Sequence, residues 1–136
     1  MFRQLFVLLV VTGLMPQPVL AETPVEVLAE IKNAAKQADP AFKEFSAARG
    51  EKFFKQTHVN ELSCASCHTE SPAAPGKHAK TGKIIQPLAP AANAERFTDM
   101  TKVEKWFKRN CNDVLERVCT PQEKGDVLAY VLAVKK

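Results

Sequence analysis

The sequence lacks any run of alternating apolar and polar residues of the kind that marks a half-buried strand, has no internal repeat, and nowhere gathers its cations into a stripe. The first absence predicts an all-α chain. The last removes nucleic acid as a partner, because a phosphate backbone rewards clustered lysine and arginine. The 19 basic and 15 acidic residues read instead as solvated surface, with scope for steering a charged redox partner. Also missing is an apolar run long enough to cross about 30 Å of hydrocarbon. An unbroken apolar run from Leu5 to Val11 follows Met1-Phe2-Arg3, and Pro16 and Pro18 come after it, before Val19-Leu20-Ala21. A positive start, a short apolar core and small residues at its end describe a signal peptide over residues 1–21, cleaved near Ala21. Export to the periplasm is therefore expected, with no membrane span in the mature chain. The 136 residues less those 21 leave 115, enough for one domain with a small core that a bound cofactor would help to fill.

Four helices are expected in the mature chain. Thr23-Pro24-Val25-Glu26 opens the first, with a cap, a proline at the first helical position and an acid that reaches back. Asp39-Pro40 stops it near Ala38. Residues 22–39 thus form an extra N-terminal helix beside a main domain at 40–136. The second helix is placed over roughly Pro40 to Gln56, with Phe42, Phe45, Phe53 and Phe54 along one side and Gly50 among them. A glycine inside a helix suggests close approach by another backbone. The third starts near Asp99 or Thr101, where Thr101 and Glu104 make a capping box, and presents Val103, Trp106 and Phe107. The fourth opens at Thr120-Pro121-Gln122-Glu123 and is strongly apolar from Val127 to Val134. Between the second and third helices, Pro72, Pro75, Pro87 and Pro90 with Gly76 and Gly82 exclude elements of normal length. A loop of that extent in a compact domain is functional or wraps something.

Cys64-Ala65-Ser66-Cys67-His68 is the motif that carries chemistry. Cysteines three apart share one face of a helical turn, so both sulfurs can meet the two vinyl groups of one haem, and the next residue can offer its imidazole to the iron. A thioredoxin-like dithiol would need a βαβ setting, and no strand precedes Cys64. A zinc site would need a second close Cys/His pair, and His58 and His78 do not supply one. A disulfide between Cys64 and Cys67 is sterically cramped. The spacing therefore predicts one covalent haem c on Cys64 and Cys67, with His68 on the iron. Ile84, Ile85 and Leu88 of the long loop are placed to face it, and Trp106 and Phe107 to line it.

Gly50, Phe54, the Cys64–His68 motif and the apolar last helix together resemble a class I cytochrome c. In that family the helix with the glycine and aromatic residue crosses the C-terminal helix, which implies contacts from Gly50 and Phe54 to Leu128, Tyr130 and Val131. The family normally sets a methionine across the iron, and here the pattern departs. Met1 and Met15 lie in the signal segment, and Met100 stands at the start of the third helix without a proline-flanked loop. His58 and His78 would give a bis-histidine iron, but His58 is awkwardly close to the motif and His78 lies beside lysines in the loop.

Thr81-Gly82-Lys83, Pro87-Leu88-Ala89-Pro90, Arg96-Phe97-Thr98, Glu104-Lys105-Trp106-Phe107, Arg109-Asn110-Cys111-Asn112-Asp113-Val114, Cys119-Thr120 and Glu123-Lys124 follow in succession. They are similar to the oxygen-binding class I cytochromes called sphaeroides haem protein, over most of the chain from Ser46 to Leu132. The resemblance implies Asn110 as sixth iron ligand, a Cys111–Cys119 disulfide, binding of oxygen and other diatomics by the ferrous form, and electrons supplied by a dihaem cytochrome c. By residue type alone Asn110 and Asn112 have nearly equal claims, and Asn at a helix end is often a cap. The implied disulfide also constrains the backbone. Eight residues of straight helix span about 12 Å, while bonded cysteines need Cα atoms within about 7 Å, so the third helix has to end before or soon after Cys111. Gas binding competes with a simple electron carrier whose iron is permanently six-coordinate. It also competes with a haem peroxidase or nitric oxide dioxygenase, for which His78 or Arg96 would have to act as distal acid or base.

Overall fold

The computed structural model describes residues 21–135; apart from Ala21, the signal segment read over residues 1–21 lies outside them. In chain order the elements are α1 (Pro24–Ala38), α2 (Ala47–Lys55), a 3-10 turn (Val59–Glu61), α3 (Ala65–His68), β1 (Gly76–Lys77), β2 (Ile84–Ile85), α4 (Met100–Leu115) and α5 (Pro121–Ala133). The fold is all-α apart from one small hairpin, in which Gly76 pairs with Ile85 and Lys77 with Ile84. That hairpin departs from the strandless expectation: two residues a side are too few to leave any alternation in the sequence. No helix among the described residues is long and apolar enough to cross a membrane.

Both Thr-Pro starts form the caps the sequence implies. Thr23 with Glu26, and Thr120 with Glu123, make reciprocal capping boxes ahead of α1 and α5. α1 buries Val27, Ile31 and Ala35 at 0–2% exposure, and Val27 and Ile31 pack with Val103 of α4 and Leu128 of α5.

The central contact is the crossing of α2 and α5. A Cβ on Gly50 would lie 1.8 Å from the Asp126 carbonyl oxygen and 2.9 Å from the Val127 nitrogen, so the two backbones meet where only glycine fits. Phe54, fully buried, stacks at a tilt on Tyr130 with centroids 5.5 Å apart. It shares a cluster with Val127, Tyr130 and Val131; of the three partners the family resemblance implies, Tyr130 and Val131 are there, while Leu128 packs with Val27, Ile31 and Val103 instead.

One helix start and one helix cap differ from the sequence reading. α2 begins at Ala47 rather than near Pro40, because Ser46 is its cap and Asp126 fixes Ser46 in an extended conformation. The buried Asp126 carboxylate accepts from the Ser46 N–H at 2.6 Å and from Arg49 Nε at 2.8 Å. Phe42 and Phe45, which read as a helical stripe, stack edge-on at 5.0 Å ahead of the helix. α4 is capped by Asp99, whose carboxylate accepts from the Lys102 N–H, not by Thr101. It runs one turn past Cys111 to Leu115 before Glu116, at φ 56°, reverses the chain. That reversal brings Cys111 and Cys119 to a Cα separation of 5.7 Å, where they form the disulfide.

Candidate haem site

Cys64, Cys67 and His68 are presented by a single turn of helix. The His68 N–H donates to the Cys64 carbonyl at 3.0 Å, and Thr69, at φ 63°, ends the turn at once. A device that the sequence reading missed fixes its start: Ser66 N–H donates to Ser63 Oγ at 3.1 Å, while Ser63 N–H donates to Ser66 Oγ at 2.9 Å. The pair Ser63-x-x-Ser66 ahead of the helical turn is the signal that could have found it. The hairpin then clamps the turn from the side. A Cβ on Gly76 would lie 2.0 Å from the Cys67 carbonyl oxygen, and Ala79 N–H points to Cys67 Sγ at 3.3 Å.

The turn opens on a cavity of about 670 Å³, within the range of small-molecule and cofactor sites. Each residue assigned to the site from the sequence lines it: Cys64, Cys67, His68, Ile85, Leu88, Trp106, Phe107 and Asn110. Neither cysteine of the motif takes part in a disulfide among the described residues. Burial pushes the Cys64 thiol up to about 11. Burial, with a smaller contribution from the Arg96 charge, pulls His68 down to about 4, so its imidazole is neutral at pH 7 and able to bind a metal. Two cysteines on one turn, a neutral imidazole beside them and an apolar wall are the donor set that a covalent haem requires, so the residues fit the group.

Of the candidate ligands, Asn110 and His78 line the cavity, and Asn112, Met100 and His58 do not. Asn110 lies inside α4 rather than at its end, which removes the helix-cap role, and its amide has no hydrogen-bond partner among the described residues. Asn112 is not in the cavity wall; its carbonyl accepts from the Glu116 N–H at the helix terminus. Met100 fills the core between α1, α4 and α5. His58 Nε2 is within 2.9 Å of the Phe53 carbonyl, outside the cavity. His78 does line it, with Nδ1 accepting from the Lys80 and Thr81 N–H groups at 3.3 and 3.2 Å. Arg96, cast from the sequence only as a speculative acid or base, reaches over the loop to donate to Gln86 and Pro87 carbonyls at 2.7 and 2.9 Å.

The family described as "Domain of unknown function (DUF1924)" matches residues 40–131. Cytochrome c'' of Methylophilus methylotrophus is 45% identical over 108 residues, covering 76% of this chain and 75% of its own length. The cytochrome c-type protein SHP of Cereibacter sphaeroides is 40% identical over 131 residues, covering 92% and 96%. Among solved structures, oxidised cytochrome c'' from Methylophilus methylotrophus superposes with a TM-score of 0.75 at 41% identity, over 83% of this chain and 95% of that one. Oxidised SHP, an oxygen-binding cytochrome c, superposes with a TM-score of 0.74 at 39% identity, over 83% and 98%. With identity of that order over most of each chain, and a Cys-x-x-Cys-His turn facing an apolar cavity, the chain belongs to the family of all-α, class I monohaem c-type cytochromes, with covalent haem c, that includes cytochrome c'' and the sphaeroides haem protein.

Proposed function

We propose that the protein is an exported, periplasmic and redox-active cytochrome in which Cys64 and Cys67 hold the haem, His68 binds the iron, and Asn110 is a second ligand that yields to a diatomic gas on reduction. When bound, the haem would supply a one-electron iron couple and an iron able to take a further ligand besides His68. The observation that carries the reading is the Asn110 amide, which lines the same cavity as Cys64, Cys67 and His68 and has no protein partner among the described residues. An amide oxygen is a weak, hard ligand, better suited to ferric than to ferrous iron. Cys111, buried and bonded to Cys119, fixes the backbone beside Asn110, so the residue stays near the iron without a strong bond to it. Ile85, Leu88, Trp106 and Phe107 give the cavity an apolar wall. The solved structure of SHP as an oxygen-binding cytochrome c supports the same function here. A dihaem cytochrome c is the proposed electron donor, and α1 is proposed as an addition to a cytochrome domain at residues 40–136, since the family match begins at residue 40.

The second reading is an electron carrier with a permanently six-coordinate iron. His78 favours it, because it lines the cavity and its Nδ1 is already used, leaving Nε2 for a metal. A dedicated peroxidase or dioxygenase is less well served, since His78 Nδ1 and two Arg96 donors are committed to backbone groups. Asn110→Ala decides between the first two. The gas-binding reading expects a five-coordinate or water-ligated ferric spectrum from it and a nearly unchanged one from Asn112→Ala. An unaltered low-spin ferric spectrum in Asn110→Ala, lost instead in His78→Ala, would establish the carrier.

A further inference from the structure

Several of the chain's cations meet carboxylates: Arg49 meets Asp126, Arg117 meets Glu123, and Lys124 meets Glu104. Arg96 is different. Its side chain is partly buried in the cavity wall, and no carboxylate pairs with it among the described residues. Glu95 also lines the cavity but forms no ion pair with it. Among the described residues, the protein groups that Arg96 engages are carbonyls, Pro87 through Nε at 2.9 Å and Gln86 through Nη2 at 2.7 Å.

A guanidinium has five N–H donors in a rigid planar fork. Two are used, and three remain on the Nη atoms. A partly buried cation without a counter-charge is costly, and burial already lowers the Arg96 pKa. The loop does not need a cation for its own geometry, because Leu88 and Ala89 N–H groups also tie it to the Pro72 carbonyl at 2.8 and 2.9 Å. A haem brings two propionate carboxylates into this same cavity, and a planar fork is the side chain that matches a carboxylate best.

We infer that Arg96 is a haem-propionate anchor, with its guanidinium held by the Gln86 and Pro87 carbonyls and its remaining N–H groups presented to one propionate. The inference rests on the reading that Cys64 and Cys67 hold the haem in this cavity. Arg96 then has two roles. It positions the haem by its carboxylate end while the thioethers fix the opposite edge, and it keeps a positive charge near the iron, which favours the ferrous state.

Arg96→Gln and Arg96→Lys separate charge from shape. The glutamine variant removes the charge; the lysine variant keeps it and loses the fork. Each is purified as the full haem-loaded chain and compared with wild type by redox potentiometry and by resonance Raman spectroscopy, in which the propionate bending band reports hydrogen bonding to those carboxylates. The expected result is a propionate band that moves in both variants. At fixed ambient potential the ferrous-to-ferric ratio should fall about tenfold in Arg96→Gln, equivalent to about 59 mV for one electron, and stay near wild type in Arg96→Lys. A propionate band at the wild-type position in Arg96→Lys would overturn the inference even if the glutamine variant fails to mature. So would equal potentials in the two variants, which would make Arg96 a clamp for the loop alone. Pigment that leaves the wild-type protein in acidic organic solvent would mark a different failure, that of the attachment by Cys64 and Cys67.

Discussion

Replacing Gly50 by alanine would put a methyl carbon 1.8 Å from the Asp126 carbonyl oxygen and 2.3 Å from its carbon. Ordinary contact begins near 3.4 Å, so α2 and α5 would have to separate by more than 1 Å at their crossing. The atoms in the way are backbone, and no rotamer change relieves them. Alanine gains up to about 1 kcal/mol of helix propensity over glycine, while overpacking costs about 1–3 kcal/mol or more. Here the separation would also loosen Phe54 from Tyr130 and disturb the Asp126 bonds to Ser46 and Arg49. A net loss of about 2–3 kcal/mol follows, which in a domain of this size lowers the melting temperature by roughly 10 °C. Thermal unfolding of the haem-loaded protein, followed by helical circular dichroism, measures it. A Gly50→Ala protein as stable as wild type, or more so, would show that the helices do not cross in backbone contact, and the account of the core would fail with it.

Reduction of the Cys111–Cys119 bond opens a loop with a sequence separation of 8; chain entropy then predicts a loss of about 2.5 kcal/mol. Thiol titration of the unfolded, untreated protein should find no free thiols beyond any left by incomplete haem attachment, and two reactive thiols from Cys111 and Cys119 would refute the bond. Arg117 holds the Glu123 carboxyl below its ordinary range while Glu123 also caps α5. A depressed folded-state value means that the contribution is present above the usual glutamate pKa and is lost as pH falls through the lowered one. The pair is partly exposed, so Arg117→Gln should cost less than about 1 kcal/mol at pH 7, and that difference should vanish in strong acid. A gap between the two proteins that persists at pH 2 would assign the effect to packing instead.

Features set by neighbouring residues were readable without a structure. The Thr-Pro-x-Glu starts of α1 and α5 contain their whole capping chemistry within four residues, and Cys64–His68 contains its own spacing. A glycine inside a helix marked Gly50 as a place where a second backbone comes close, and the resemblance to class I cytochromes c implied that this backbone belongs to α5. What was missed depends on distant partners. The start of α2 is set by Asp126, 80 positions away from the Ser46 N–H it accepts, and the three-residue spacing of Phe42 and Phe45 imitates a helix when it is a local ring stack. A Thr101–Glu104 box was expected to cap α4, and Asp99 caps it instead, next to a stretch tied down by the N-terminal segment. The Glu22 N–H donates to the Thr98 carbonyl, and the Glu22 carboxylate accepts from the Met100 N–H. The role of Arg96 was likewise invisible, since its meaning comes from Gln86 and Pro87 across a loop and from the cavity it faces.

The central claim is that reduction releases Asn110 and leaves the iron held by His68 open to a diatomic ligand. Its most direct test is the absorption spectrum of the dithionite-reduced protein with and without carbon monoxide. Release of Asn110 predicts a high-spin, five-coordinate ferrous spectrum that converts to a low-spin one as carbon monoxide is added. A ferrous protein that is low-spin and six-coordinate from the start, with a spectrum that carbon monoxide leaves unchanged, would contradict the account and make the protein an electron carrier.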